Sequence, residues 1–145
     1  MIIGGEIKAP LDDSAGFVGA RANVKGFLCE YMTAGRVLVL GDPGPWICSG
    51  MTGGVLYLRL QPEMNFDLEA IQRRIARGAK VTLGPVGPED QANLETLLGV
   101  YAEELAHNHQ EEAARQVSAL LDGWQARFVK IEPLARQMIQ AYATE

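Results

Sequence analysis

Val37-Leu38-Val39-Leu40 and Val55-Leu56-Tyr57-Leu58 are apolar runs shortly after or directly after a glycine, and their β-branched and aromatic content predicts strands. Alternation along a strand sends Val37, Val39, Leu56 and Leu58 to one face, and Arg36, Leu38, Leu40, Val55, Tyr57 and Arg59 to the other. The two arginines mark the second as the outer face, where Leu38 and Tyr57 form an apolar patch for other elements to cover. Beyond residue 60 the pattern becomes helical. Asp67 is placed to cap a helix with Leu68, Ile71 and Ile75 on its apolar side, Arg73, Arg74 and Arg77 toward its end, and Gly78 as its stop. Lys80 to Leu83 reads as a short strand. Pro88 suits a first helical position, and Leu94, Leu97, Leu98, Tyr101 and Leu105 share a helical face. Asn108 and Glu111 have capping-box spacing and predict a further helix with Ala113, Ala114, Val117, Leu120 and Leu121 inward. Pro133 begins a last short helix with Leu134, Met138, Ile139 and Tyr142. Trp46 lies in the rigid turn Pro43-Gly44-Pro45-Trp46 and is expected to pack beneath these helices.

Internal repetition is the strongest signal. Cys29 to Leu40 aligns with Cys48 to Arg59 at a constant offset of 19 residues, so that Cys29 matches Cys48, Met32-Thr33 matches Met51-Thr52, and Ala34-Gly35 matches Gly53-Gly54. A period near 20 made only of strands and glycine turns suits a parallel solenoid, each repeat forming one rung on the last. Cys29 is then expected over Cys48, Met32 over Met51 and Val39 over Leu58. A weaker third copy is read at Ile2-Ile3-Gly4-Gly5-Glu6-Ile7-Lys8, with its glycines 30 residues before Ala34-Gly35. Gly35 and Gly54 are each followed by a strand and not by a helix. Corner geometry therefore outweighs phosphate binding, and neither G-x-G-x-x-G nor a P-loop pattern occurs.

Charge divides the chain. Residues 1 to 60 carry five basic and five acidic groups, so the whole net charge of −5 belongs to residues 61 to 145. An acidic surface without a basic stripe speaks against nucleic acid as a partner. No apolar run is long enough to cross a bilayer and the start lacks a signal-peptide pattern, so the expectation is a cytoplasmic protein with no membrane partner. Cys29 and Cys48 belong to no CxxC pair and are expected as free, buried thiols in a small apolar ladder.

The stretch Gly26 to Gly41, with Cys29-Glu30-Tyr31-Met32-Thr33, and its echo Ser49 to Leu58 resemble the C-terminal GXGXG domain of the glutamate synthase large subunit. Asp122-Gly123-Trp124 and Arg127-Phe128-Val129-Lys130-Ile131-Glu132-Pro133 resemble the end of that domain, where a Phe-Val-Lys strand follows a Trp that closes a helix. The resemblance implies a right-handed parallel β-helix. The expected fold is thus a mainly β N-terminal half, residues 1–60, forming a single-stranded solenoid of glycine-rich rungs. A helical tail, residues 61–145, covers it in one compact unit. The family's domain has more rungs at its N-terminus, and here the second glycine of the first pair is Ala34. Nothing in the chain resembles the family's glutaminase domain, FMN barrel or iron–sulfur ligands, so the resemblance implies a scaffold with no activity or cofactor of its own. Its implied partners are class II glutaminase and FMN-dependent synthase subunits, as in the split N-methylglutamate synthase, with a homo-oligomer also expected from an open solenoid end. The structural motif is carried by Cys29, Met32, Thr33, Gly35, Cys48, Met51, Thr52, Gly53 and Gly54.

Candidate chemistry is sparse. His107 and His109, with Glu103, Glu104, Glu111 and Glu112 nearby, invite a metal or acid–base reading, but residues two apart on a helix diverge and a solvated turn is the better reading. Glu30 and Asp42 read as surface charges, and Ser49 has no histidine at a nucleophile–base spacing. Catalytic, cofactor-binding and metal-binding residues are therefore assigned nowhere. The alternative class is an autonomous small-molecule-binding protein, or an oxidoreductase subunit on the same rungs, as in a subunit of formylmethanofuran dehydrogenase.

Overall fold

The computed structural model describes residues 1–10, 22–24 and 26–134. Both aliphatic runs form strands, β3 (Arg36–Val39) and β5 (Val55–Arg59), and they pair in parallel with Val37 opposite Leu56 and Val39 opposite Leu58. The 19-residue offset also sets the pairing of two shorter strands, β2 (Phe27–Leu28) and β4 (Trp46–Ile47), with Phe27 opposite Trp46. It reaches further forward than the sequence echo, because the Asn23 N–H donates to the Asp42 carbonyl. The N-terminal strand β1 (Ile2–Ile3) adds to β3 in parallel, but Ile2 lies opposite Leu38. Within the third copy read at Ile2 to Lys8, the stacked strand is thus Ile2-Ile3, before its glycines, whereas β3 follows Gly35.

The expected right-handed parallel β-helix does not form. After Arg59 the chain runs through a 3-10 turn (Pro62–Met64) and helix α1 (Leu68–Arg74), and it continues the stack only as a single parallel bridge of Ile75 to Ile47 on β4. The open side of β5 is then taken by β7 (Phe128–Pro133), which runs antiparallel to it and pairs on its other side, again antiparallel, with β6 (Val81–Pro85). The result is a mixed five-stranded sheet of order β1-β3-β5-β7-β6, with β2 and β4 forming a separate pair. Between β6 and β7 lie α2 (Gln91–His107), α3 (Glu111–Ala119) and α4 (Trp124–Arg127). Only two full copies of the rung are present, with β1 adding a two-residue strand, and a solenoid core takes about three or more full copies. The apolar faces are covered instead by antiparallel strands and helices. Two of the five strands of the sheet, β6 and β7, come from residues 61 to 134, at the Lys80 to Leu83 segment and the Phe-Val-Lys segment read as strands from the sequence.

Each face of the sheet builds its own core, as strand alternation requires. Val37, Val39, Leu56 and Leu58 pack with Phe66, Ala70, Ile71, Val129 and Ile131. On the opposite face Leu38, Leu40, Val55 and Tyr57 pack against Leu94, Leu98, Ala114, Val117, Leu120 and Phe128. The patch of Leu38 and Tyr57 is fully covered by α2 and α3, at 0% exposure for both residues. Helix α1 starts as its sequence predicts, with the Asp67 carboxylate accepting from the Ala70 N–H at 3.0 Å. Its Leu68, read as inward, is exposed. Asn108 does not open α3; its side chain donates to the Glu104 carbonyl at 2.7 Å and closes α2 instead. Pro133 ends β7 and the Leu134 N–H donates to the Lys80 carbonyl, while the expected last helix through Met138, Ile139 and Tyr142 lies outside the described residues.

Candidate functional site

The motif residues meet at one corner of the stack, where the backbone repeats its conformation as well as its sequence. Cys29 (φ 57°) and Cys48 (φ 65°) are both left-handed, Tyr31 (φ 55°) matches Gly50 (φ 67°), and Gly35 (φ 97°) matches Gly54 (φ 83°). A left-handed cysteine is uncommon, so two at equivalent positions mark a turn that the surrounding ladder enforces. That ladder is continuous: Cys48 N–H donates to the Leu28 carbonyl, Tyr31 N–H to Ser49, Thr52 N–H to Met32 and Val55 N–H to Gly35, at 2.7 to 3.0 Å. Thr33 presents its carbonyl to Gly53 so closely that a Cβ there would sit 1.8 Å from the oxygen. Met32 covers Gly54, and Met51 is buried in the core.

Both cysteines are free thiols, Cys48 buried and Cys29 half-buried. Burial pushes the Cys29 thiol up to about 11 and that of Cys48 up to about 12, the latter helped by its neighbour Cys29. At neutral pH they stay protonated, which suits packing and not attack.

Beside the corner a buried ion pair anchors the turn after β3. Both Nη atoms of Arg74 donate to the Asp42 carboxylate, Nη1 also donates to the Gly44 carbonyl at 2.9 Å, and Oδ1 of Asp42 accepts from the Gly44 N–H at 2.9 Å. The guanidinium lies 5.7 Å from the Phe66 ring centre. Asp42, read as a surface charge, is thus an interior group with 2% exposure. Glu30 remains exposed and plays no part in it.

A second polar network lies across β5, α2 and β7. The Tyr57 hydroxyl donates to Asp90 Oδ1 at 2.8 Å and accepts from Asn93 Nδ2 at 2.9 Å. Oδ2 of Asp90 accepts from the Gly87 N–H at 2.8 Å and lies 2.9 Å from Lys130 Nζ, which also meets Glu89 at 2.9 Å. Burial opposes ionisation of Asp90, but the Gly87 N–H, Lys130 and Tyr57 outweigh it and hold the carboxyl below its usual range. Burial likewise opposes the charge on Lys130, and Asp90 and Glu89 override it, raising the ammonium above its usual range. Tyr57 is pushed up to about 12, by burial first and then, against the Asn93 hydrogen bond, by Asp90. None of these three groups changes protonation near neutral pH. They bind elements together and have no proton to exchange there.

Tyr57→Phe should therefore cost about 1 kcal/mol of stability at pH 7. The unfolded phenol ionises near pH 10 and the folded one is held protonated to about 12, so wild-type stability falls as pH rises through that window. The phenylalanine variant lacks this loss, and the gap measured by urea unfolding should shrink above about pH 10. A constant gap from pH 7 to pH 11 would contradict the network.

His107 ends α2 and His109 (φ 62°) sits in the turn before α3; with Glu103, Glu104, Glu111 and Glu112 they are exposed. No group of histidines, cysteines and carboxylates arranged to hold a metal exists among the described residues. Trp46 does not pack beneath the helices. It stands 46% exposed on β4, next to Phe27 on β2 at 63%. β1 and β2 are the outermost strands of their sheets, so this aromatic pair borders a sheet edge with no further strand among the described residues. No helix among the described residues is long and apolar enough to cross a membrane.

Fold and corner together define a glycine-turned parallel stack of two repeats, closed on one side by antiparallel strands and helices. The chain belongs to the GXGXG motif family, which matches residues 18–134. It is 31% identical over 108 residues to the glutamate synthase [NADPH] large chain of Bacillus subtilis, covering 72% of this chain and 6% of that protein. Ferredoxin-dependent glutamate synthase 2, chloroplastic, of Arabidopsis thaliana is 37% identical over 92 residues, 58% of this chain and 5% of that one. The ferredoxin-dependent glutamate synthase of Cyanidium caldarium reaches 45% over 60 residues, 38% of this chain and 4% of that one. The chain therefore corresponds to a small fraction of the length of these relatives, and it is a glutamate-synthase-like GXGXG domain in a short form.

Proposed function

We propose that the chain is a non-catalytic scaffold of a glutamate-synthase-like assembly, holding class II glutaminase and FMN-dependent synthase partners together in cytoplasmic amide nitrogen metabolism. The observation that carries this reading is the exposed pair Phe27 and Trp46 on β2 and β4, beside the β2 edge that no further strand takes among the described residues. Exposed aromatics beside unpaired backbone are the materials of a protein interface. The protonation of Tyr57, Asp90, Lys130 and both thiols, fixed through neutrality, supports a structural role over an acid–base one.

Reconstitution tests it. Purified alone, the protein is expected to bind no FMN and to release no ammonia from glutamine. Mixed with glutaminase and FMN-synthase polypeptides from the same host, it should co-elute with them on gel filtration. A flavin spectrum in the isolated protein, or separate elution of all three components, would overturn the scaffold reading.

A further inference from the structure

A cavity of about 490 Å³ opens where the three parallel strands end, between the segment Gly5 to Lys8 and the hairpin of α2 and α3. Such a volume falls within the range of small-molecule sites, about 300–1,000 Å³. Leu40 and Leu120 are buried in its floor. Arg59, the last residue of β5, lies in its wall together with Lys8, Gln110 and Gln116, and Glu6 stands nearby. Arg59 is half-buried, yet no hydrogen bond or ion pair engages its guanidinium among the described residues. Burial is the main influence on it and pulls its pKa down, against the more distant charges of Glu6 and Glu63. An arginine remains charged even so, and a half-desolvated guanidinium with no partner among the described residues is suited to receive an anion.

We propose that this cavity binds a small monocarboxylic acid with an apolar body, the carboxylate paired with Arg59 and the hydrocarbon part lying on Leu40 and Leu120. The guanidinium fork matches the two oxygens of a carboxylate, and a partly dry site strengthens the pair. Charge selects the class of anion. Arg59 and Lys8 against Glu6 leave one net positive charge at the lining, which suits a monoanion, while Glu6 repels a second negative charge. The apolar floor gives no return to inorganic phosphate. Gln110 and Gln116 also line the cavity, and although Gln116 Nε2 donates to Glu112 at 3.5 Å, its second amide hydrogen and the Gln110 amide can serve a polar substituent of the ligand. This binding role is additional to the scaffold role and does not depend on it.

The test is an NMR titration of the whole protein with hexanoate, its neutral isostere hexanamide, and phosphate. Hexanoate is expected to shift the Arg59 Nε–H and the Gln110 and Gln116 side-chain amides saturably, in the millimolar range or tighter. Hexanamide should bind at least about ten-fold more weakly, and phosphate should give no saturable shift. Arg59→Gln is expected to weaken hexanoate by about ten-fold or more. If that variant does not fold, Lys8→Gln and Gln116→Leu, both at exposed positions, should each weaken hexanoate about three-fold. No saturable shift with hexanoate, equal binding of hexanamide or phosphate, or undiminished binding by the substituted proteins would overturn the site.

Discussion

Replacing Gly53 by alanine should destabilise the protein by about 3 kcal/mol, enough to lower the melting temperature by roughly 10 °C. The added Cβ would lie 1.8 Å from the Thr33 carbonyl oxygen and 2.7 Å from the Thr33 carbonyl carbon. Both are backbone atoms of the preceding turn, so no side chain can swing aside. The two turns would have to separate, and the Thr52 and Val55 N–H bonds across them would lengthen or break. Gly78→Ala is the control. Gly78 also has a glycine-type backbone (φ 80°), but open space surrounds its Cβ position, and its loss should stay near 1 kcal/mol. Equal losses at the two sites in thermal unfolding would mean that the corners are not in van der Waals contact.

Asp42→Ala should be comparably severe, at about 3–5 kcal/mol, because it leaves the Arg74 guanidinium in the interior without its carboxylate. The two side chains are each only 3% exposed, so water cannot replace the lost partner. Arg74→Met leaves Asp42 with the Gly44 N–H and no cation, and is expected to cost a similar amount. The double variant Asp42→Leu with Arg74→Met removes both charges, and its cost should be well below the sum of the single ones. A double-mutant cycle by urea unfolding reads the difference, and strict additivity would show that the pair is not coupled.

Both results bear on what was legible in the sequence. The 19-residue echo matches the register of β2 with β4 and of β3 with β5, because the repeated turns, left-handed at Cys29 and Cys48 and glycine-built at Gly35 and Gly54, fix where β2 and β4 end and where β3 and β5 begin. It did not set how many turns would stack. Only the long-range return of Phe128–Pro133 decides that, by closing β5 with an antiparallel neighbour, and no local pattern announces an orientation. The apolar stripe of Leu94 and Leu98 was readable, as was the Asp67 cap. Arg74 was read as a favourable charge near a helix end, and Asp42 as a surface group at a turn. They lie 32 positions apart, and only the fold brings them together. Tyr57, Asp90 and Lys130 were likewise scattered over three elements. Trp46, expected from its rigid turn to pack beneath the helices, stands instead exposed on the two-residue strand β4. Arg59 gave a usable signal: a charged residue ending an apolar strand is either at the surface or in a site.

The most direct measurement is the affinity of the reconstituted assembly for this chain and for the double variant Phe27→Asp with Trp46→Asp, by calorimetry. Both side chains are exposed, so the variant is expected to keep the wild-type circular dichroism and melting temperature. If the aromatic pair beside the open edge is the docking face, affinity for the glutaminase and FMN-synthase partners should fall by at least about 100-fold. Unchanged affinity in a normally folded variant would contradict it.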